Sequence, residues 1–176
     1  MEFITETLES PLGSMEVITH AHQVVSLDFL DCHDRMERFL QKSFGGYQLH
    51  NGRTEICDRL QDYFDGDLGA LTGIPYLLYG TPFQKKVWQA LTEILPGTSL
   101  TYGDLARKIG QPKAAQAVGR ANSLNPILLV IPCHRVLGKG QQLTGYSAGI
   151  YRKDWLLNHE RRHCDSPRLD ENIQVT

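Results

Sequence analysis

The chain has 176 residues, of which 41% are hydrophobic and 22% are charged, a composition typical of a folded protein of one domain or two small ones rather than of a disordered chain. No apolar run approaches the roughly 20 residues that a helix needs to span a bilayer, which excludes a transmembrane segment. The net charge of -2 hides an uneven distribution along the chain.

Charge divides the sequence into an acidic and a basic part. Residues 1–80 contain 5 Lys or Arg against 13 Asp or Glu, residues 81–162 contain 12 against 4, and the remainder contains 1 against 3. A basic stretch in an otherwise acidic chain is typical of a protein that binds a polyanion such as nucleic acid. A solvated basic face is the alternative that composition leaves open.

The four cysteines lie far apart and form no CxxC pair. The first residues also lack the basic segment and apolar segment of a secretory signal. We therefore expect reduced cysteines and a cytoplasmic protein.

The acidic part predicts a small α/β domain. Short β-type runs in residues 3–31 are interrupted by "SPLG", which is typical of a hairpin or small antiparallel sheet. Apolar residues at helical spacing then predict helices over 34–44 and 54–65. A segment marked by Pro and Gly, 71–83, reads as a linker, so the first domain with its linker is expected to span 1–80.

From residue 81 the pattern is mostly helical. A Thr followed by Pro begins an amphipathic segment, 81–95, that ends at "PG". Two short helices joined by "QP" follow, and small residues stand where the helices would approach closely. This pattern predicts a helix-turn-helix over about 101–123, although two helices packed without any DNA-binding role would look the same.

The second predicted domain, 81–164, continues with a strand and a final helix. The apolar run 127–131 predicts a buried strand that leads through Pro132 to Cys133. A Gly-rich loop follows, and "YRKDWLLNHE" predicts the last helix. The fold class is therefore α/β (α+β), with a small sheet-plus-helix domain before a mostly helical one, and 165–176 is expected to be a flexible tail.

Cys133 is the candidate nucleophile. Free cysteine is often only a buried filler residue, and that alternative stays open. A thiol reacts as the thiolate, however, which requires a nearby base or positive charge, and His134 and Arg135 follow directly. A distant carboxylate could orient the histidine, as in other Cys-His-acid arrangements.

The stretch "NPILLVIPCHRV", with "GYSAG" and "RKDWLLNHE" after it, resembles the O6-alkylguanine-DNA alkyltransferase family, also called methylated-DNA:protein-cysteine methyltransferases. The resemblance runs from about Thr81 to Glu160. It implies DNA repair in which the alkyl group of O6-alkylguanine, and of O4-alkylthymine where that lesion is accepted, passes irreversibly to Cys133. Each protein molecule would then act once.

The resemblance also implies roles for individual residues. Glu160 would orient His134, which would deprotonate Cys133 through a water, and Tyr102 would donate to guanine N3 as the base leaves. The main-chain carbonyls of Cys133 and Val136 would recognise the exocyclic amine of the base. The substrate-binding residues that the family pattern implies are Asn125, Val136, Tyr146, Ser147 and Lys153.

The second helix of the helix-turn-helix is implied to contact the minor groove of duplex DNA. The implied DNA-binding residues are Ala114, Gln116, Ala117, Gly119, Arg120 and Arg135. The chain departs from the family at Gln116, where an arginine usually fills the gap left by the flipped base, and at Ala148, where glycine is common. Glutamine lacks the charge and the planar guanidinium of arginine, which puts the efficiency of base flipping in doubt.

Two other classes of protein compete with this interpretation. "HERRH", His159 to His163, fits the zinc-peptidase pattern HExxH, but the HxxGxxH extension does not follow it. Alkyltransferase-like proteins bind lesions without the reactive cysteine, whereas Cys133 is present here. We expect a transferase that needs no metal and no cofactor, acts on duplex DNA as a monomer, and has no membrane partner.

Overall fold

The computed structural model describes residues 1–164, so the tail predicted at 165–176 lies outside the described residues. A four-stranded sheet with two helices is followed by a mostly helical part, which confirms the predicted fold class. The strands are β1 Glu2–Ser10, β2 Gly13–His20, β3 Gln23–Phe29, β4 Gln48–Asn51, β5 Leu100–Thr101 and β6 Val136–Leu137. The helices are α1 His33–Phe44, α2 Glu55–Phe64, α3 Pro82–Leu91, α4 Tyr102–Lys108, α5 Ala115–Ser123 and α6 Ile150–Cys164. Short 3-10 turns cover Leu30–Cys32, Cys133–Arg135 and Lys139–Gln141.

The N-terminal sheet has the strand order β3-β2-β1-β4. The predicted hairpin at "SPLG" is confirmed, since β1 and β2 pair antiparallel around a turn in which Gly13 has a φ of 113°. β4 runs parallel to β1 and was not predicted, because its four residues are all exposed and show no apolar alternation. The two predicted helices of this part correspond to α1 and α2.

The apolar run 127–131 is not the strand that its composition predicts. Ile127 makes one isolated bridge to Leu27 of β3, and the backbone then turns, with Leu129 at a φ of 66°. The Ile131 amide donates to the Ile127 carbonyl at 3.1 Å. Four of the five residues are buried and Val130 is partly buried. Such a run has no period that separates strand from turn, which is why the strand prediction was wrong.

α3, α4 and α5 form the helical layer that precedes Cys133. Thr81 caps α3 through a reciprocal pair of hydrogen bonds with Gln84, and Thr101 caps α4 in the same way with Asp104. The buried indole of Trp88 donates to the Ala121 carbonyl at 2.9 Å, which fixes α3 against α5. α3 ends at Leu91, earlier than the predicted residue 95.

One hydrophobic core joins the N-terminal and C-terminal parts. It contains Leu27 from the sheet, Tyr63 from α2, Trp88 from α3 and Leu156 from α6. A second, smaller cluster lies between the sheet and α1. The predicted domain boundary between residues 80 and 81 stays a prediction, although the shared core shows that the two parts pack tightly together.

Among residues 1–164, no helix combines the length and the apolar character needed to cross a membrane.

Candidate active site

A single 3-10 turn, Cys133–Arg135, carries the residues that the sequence singles out. The Cys133 amide donates to the Ile131 carbonyl at 2.8 Å, and the Arg135 amide donates to the Pro132 carbonyl at 3.0 Å. In such a turn successive side chains point in different directions around the axis, whereas strand residues alternate between two faces. The turn therefore directs the three side chains to different sides of its axis, where all three are buried, and Cys133 itself is 1% exposed.

The carboxylate of Glu160 accepts hydrogen bonds from several donors of this region. Its Oε1 accepts from His134 Nε2 at 2.7 Å and from the Tyr63 hydroxyl at 2.8 Å. Arg135 donates from Nε to Oε2 at 3.0 Å and from Nη2 to Oε1 at 2.9 Å, and the Gly97 amide lies 3.2 Å from Oε2. Glu160 is fully buried, so these contacts replace its lost hydration.

Burial and neighbouring charges determine the protonation states of Glu160 and His134. Burial opposes the ionised form of Glu160, but His134 and Arg135 outweigh burial and hold the pKa of the carboxyl well below its ordinary value. Burial also lowers the pKa of His134, against the opposing effect of Glu160. We therefore assign a neutral ring whose Nε2–H donates to an ionised carboxylate, which leaves Nδ1 as a proton acceptor.

The thiol of Cys133 depends on such a base. Burial raises the pKa of Cys133 above its ordinary value, and the smaller effects of Asn125, Arg35 and Lys153 oppose that shift. His134 Nδ1 is buried and has no hydrogen-bond partner among residues 1–164. The site thus combines a thiol that stays protonated at neutral pH with a free, buried basic nitrogen from the next residue.

Lys153 is fully buried on α6 and orders the loop before that helix. Its Nζ donates to the Thr144 carbonyl at 2.9 Å and to the Gly145 carbonyl at 3.3 Å. Burial lowers the pKa of the ammonium group to about 8, with a smaller opposing effect from Cys133. The loop that Lys153 holds leads directly into Tyr146, another residue singled out by the sequence.

Two tyrosines lie close enough to Cys133 for a thiolate there to raise their pKa values. Tyr102, the first residue of α4, is half-buried, and burial followed by the charge of a Cys133 thiolate raises its pKa. The same two causes raise the pKa of Tyr146 well above its ordinary value. Both phenols therefore stay protonated donors, and the buried Tyr146 hydroxyl has no partner within the described part of the chain.

The other predicted pocket residues are distributed around the turn. Asn125 is buried, donates from Nδ2 to the Ile131 carbonyl at 2.7 Å and accepts from the Ile127 amide at 3.0 Å, so it braces the segment before Cys133. Val136 is buried in β6, where it pairs with Leu100 of β5. Ser147 is exposed in the turn that precedes α6.

One face of α5 is exposed. Gln116, Ala117 and Arg120 lie on it, while Val118 is buried in the core. Ala114 is the N-cap residue of the helix. A Cβ built on Gly119 would stand 3.7 Å from the Tyr102 ring, which shows that Gly119 lies beside that ring. The exposed face is therefore continuous with the region around Tyr102.

Arg135 corrects one sequence prediction. It was expected to bind DNA, but it is only 7% exposed, and all three guanidinium nitrogens have internal partners. Two of them donate to Glu160, and Nη1 donates to the Ile94 carbonyl at 2.5 Å. The resemblance implied a contact with DNA, whereas the buried carboxylate of Glu160 pairs with the charge of Arg135.

Two residues of the site were missed by the sequence analysis. Tyr63 contacts Glu160 from α2, 97 residues away, and its position in an apolar helical pattern gave no sign of a polar role. Asn122 is buried and donates to the Cys133 carbonyl at 3.3 Å. A buried amide near the end of α5 could have been suspected from the small residues around it, but its partner could not.

The "HERRH" segment does not form the arrangement of a zinc peptidase. His159 Nε2 donates to the Tyr63 carbonyl at 2.8 Å, and its ring stacks on Trp155. Glu160 points instead to His134 and Arg135. Residues 1–164 contain no group of three or more His, Cys, Asp or Glu side chains placed to hold a metal ion.

A buried thiol beside a His-Glu pair, next to a helix pair with an exposed face, defines a protein that uses cysteine as a nucleophile. Comparison with known proteins identifies the family. Residues 82–162 match the family described as 6-O-methylguanine DNA methyltransferase, DNA binding domain.

The methylated-DNA–protein-cysteine methyltransferase of Salmonella typhimurium strain LT2 is 40% identical over 165 residues, which cover 91% of this chain and 96% of that protein. The crystal structure of Mycobacterium tuberculosis O6-methylguanine methyltransferase has a TM-score of 0.77 at 35% identity and covers 95% of each chain. The structure of Mycobacterium tuberculosis OGT in complex with DNA also has a TM-score of 0.77, at 37% identity, and covers 93% of this chain and 94% of that one. The chain belongs to the methylated-DNA–protein-cysteine methyltransferase family.

The buried ammonium of Lys153 predicts a specific dependence of stability on pH. Its pKa is about 8 in the folded chain against an ordinary value of 10.5. Between these values the unfolded chain holds the proton that the folded chain has released, so this residue makes stability rise with pH. The free energy of unfolding of the wild type minus that of Lys153→Met should increase by about 2 to 3 kcal/mol from pH 8 to pH 10.

Urea unfolding at a series of pH values measures this difference. Lys86→Met, at an exposed lysine on α3, is the matched control and should show no such increase. If the difference in free energy of unfolding between the wild type and Lys153→Met did not change with pH, the assignment of a lowered pKa to the buried Lys153 ammonium group would be contradicted.

Proposed function

We propose that this protein repairs O6-alkylguanine in duplex DNA by moving the alkyl group to Sγ of Cys133. The observation that carries the proposal is the buried 2.7 Å contact between His134 Nε2 and Glu160, formed directly beside Cys133. An alkyl group on an oxygen leaves by in-line displacement, which needs a strong, soft nucleophile, and a thiolate is the best that side chains provide.

The reaction balances without a cofactor. The proton of the Cys133 thiol moves through a water to His134 Nδ1, and the new imidazolium is stabilised by Glu160. Sγ forms a bond to the alkyl carbon as the bond from that carbon to O6 breaks, and the electron pair remains with the guanine. Tyr102 donates to guanine N3 and so reduces the charge on the leaving base.

The product explains why each molecule acts once. A thioether at Cys133 is stable, because the sulfur is a poor leaving group from an unactivated alkyl carbon. The expected stoichiometry is therefore one lesion per chain, and a single chain is sufficient for the reaction.

The burial of Cys133 requires the lesion to leave the helix stack. A thiol that is 1% exposed cannot reach O6 of a base paired inside a duplex, so the nucleotide must be flipped into the pocket. The pocket proposed for it is formed by the carbonyls of Cys133 and Val136 on the side of the exocyclic amine, and by Tyr146 and the Ser147 amide on the O6 side. Lys153 and Asn125 would hold the walls of that pocket.

The exposed face of α5 is the proposed minor-groove surface. Its small residues would let the helix approach the duplex closely, Arg120 would contact phosphate, and Gln116 would fill the space left by the flipped base. Binding to DNA also places the proposed activity where DNA is, which in a bacterium is the cytoplasmic nucleoid. An alkyltransferase-like lesion binder would lack the nucleophile, which Cys133 provides here.

Replacing the nucleophile should separate binding from transfer. Cys133→Ser is expected to abolish alkyl transfer and to leave affinity for a lesion duplex within a few fold, because the hydroxyl is a poor nucleophile of similar size. Transfer of a labelled methyl group to protein and a binding titration on the same duplex measure the two steps. Cys164→Ser, at an exposed cysteine, is the control that should transfer normally. Transfer by the Cys133→Ser protein would assign the nucleophile elsewhere.

Position 116 should affect base flipping and not the thiol chemistry. Gln116→Arg adds a cation in a negative groove and a planar group that can stack on bases. We expect repair of duplex DNA to become a few fold to tenfold faster, for roughly 1 kcal/mol of added stabilisation. Reaction with a free O6-alkylguanine base, which needs no flipping, should gain much less.

Rapid-mixing measurements of both reactions make this comparison. Equal acceleration of the free-base and duplex reactions would contradict the proposed role of position 116 in flipping. Acceleration of neither reaction would mean that Gln116 is adequate as it stands.

A further inference from the structure

The Tyr63 hydroxyl is the one side-chain group from the N-terminal part, among the described residues, that contacts the Glu160 carboxylate. It donates to Oε1 at 2.8 Å, and this is the same oxygen that accepts from His134 Nε2 at 2.7 Å. Tyr63 and Glu160 are both 0% exposed, so water does not compete for the bond. The donor comes from α2, 97 residues earlier in the chain.

The hydroxyl is held in a fixed position. The Tyr63 carbonyl accepts from His159 Nε2 at 2.8 Å, and the two rings meet edge to face with centroids 5.3 Å apart. Tyr63 also packs edge to face against Phe64. The C-terminal end of α2 therefore contacts two consecutive residues of α6, His159 through the backbone and ring of Tyr63, and Glu160 through its hydroxyl.

The hydroxyl stays a donor throughout the pH range of the reaction. Burial, and then the charge of Glu160, raise the pKa of Tyr63 well above its ordinary value. A neutral donor on Oε1 withdraws part of the negative charge that would otherwise act on His134, and it opposes rotation of the carboxylate. Both effects reach Cys133 only through the His134-Glu160 pair.

We propose that Tyr63 is a positioning residue for the alkyl-transfer site: by donating to Oε1 of Glu160 it sets the orientation of the carboxylate and the basicity of His134. The inference rests on the proposed function, since it assigns to the N-terminal part a role in the same reaction. It also links the N-terminal part to Cys133 through Glu160 and His134, in addition to its packing against the helical part.

Removing the hydroxyl should change the pH dependence of the reaction. In Tyr63→Phe, Oε1 keeps only His134 and Arg135 as donors, so more of its charge acts on His134. This favours the imidazolium and raises the pH at which the ring becomes a free base. The acidic limb of the transfer rate against pH should move upward by about 0.5 pH unit. The rate on the plateau should also fall a few fold, because the carboxylate is less firmly oriented.

Two control variants separate this role from a structural one. Leu60→Val removes a buried methylene group from the same helix and is expected to lower stability without moving the acidic limb. Tyr79→Phe removes a tyrosine hydroxyl elsewhere in the N-terminal part and should change neither limb nor plateau. If Leu60→Val moved the limb as far as Tyr63→Phe does, or if Tyr63→Phe lowered only the plateau, the proposal would be overturned.

A second measurement does not depend on DNA. Iodoacetamide alkylation of Cys133, followed by peptide mass mapping across pH, should show the same upward shift of its acidic limb in Tyr63→Phe, while the exposed Cys164 of the same molecule should keep its profile. An unchanged Cys133 profile would refute the inference about Tyr63. A shifted Cys133 profile in a protein that never takes an alkyl group from O6-methylguanine DNA would instead refute the proposed function.

The coupling to Glu160 can be tested in a double-mutant cycle. In a Glu160→Gln background His134 no longer faces a carboxylate, so adding Tyr63→Phe should produce no further shift in the Cys133 profile. A shift of equal size in both backgrounds would show that Tyr63 acts by a route other than Glu160.

Discussion

The buried carboxylate of Glu160 is the group on which the rest of the site depends. An isolated ion at 0% exposure would be costly, and here the cost is offset by a guanidinium, an imidazole, a phenol and a backbone amide that all donate to it. The donors come from three parts of the chain: α2, the loop before β5 and the Cys133–Arg135 turn. The carboxylate therefore acts as the common point that fixes α2, the loop before β5, the Cys133–Arg135 turn and α6 relative to one another.

This arrangement links stability to chemistry. Arg135 supplies the positive charge that keeps Glu160 ionised, and the ionised Glu160 determines which nitrogen of His134 carries the proton. The unprotonated nitrogen is then available to a thiol whose pKa is raised by burial. A thiol that stays protonated until a neighbouring base removes its proton is less open to unwanted reactions than a preformed thiolate.

Much of this architecture could be predicted from the sequence, for identifiable physical reasons. Thr81 is an N-cap residue with a readable signal, so α3 was found, and the "QP" junction with small residues around it predicted the helix pair. The adjacency of Cys133 and His134 signalled chemistry. Arg135 was misassigned because the sequence does not show that a carboxylate 25 residues away would take its charge. The strand prediction at 127–131 was wrong because a run in which nearly every residue is apolar and buried has no face pattern. The contact of Tyr63 with Glu160 joins residues too distant for any local pattern to reveal.

The most direct test of the account is the fate of a single methyl group. The protein is incubated with duplex DNA that contains one O6-methylguanine, and both the digested protein and the DNA are then analysed by mass spectrometry. The account predicts that the peptide containing Cys133 gains the mass of one CH₂ unit, that the lesion becomes guanine, and that repair stops at one lesion per chain. A gain on another cysteine, or repair that continues beyond one lesion per chain, would contradict it.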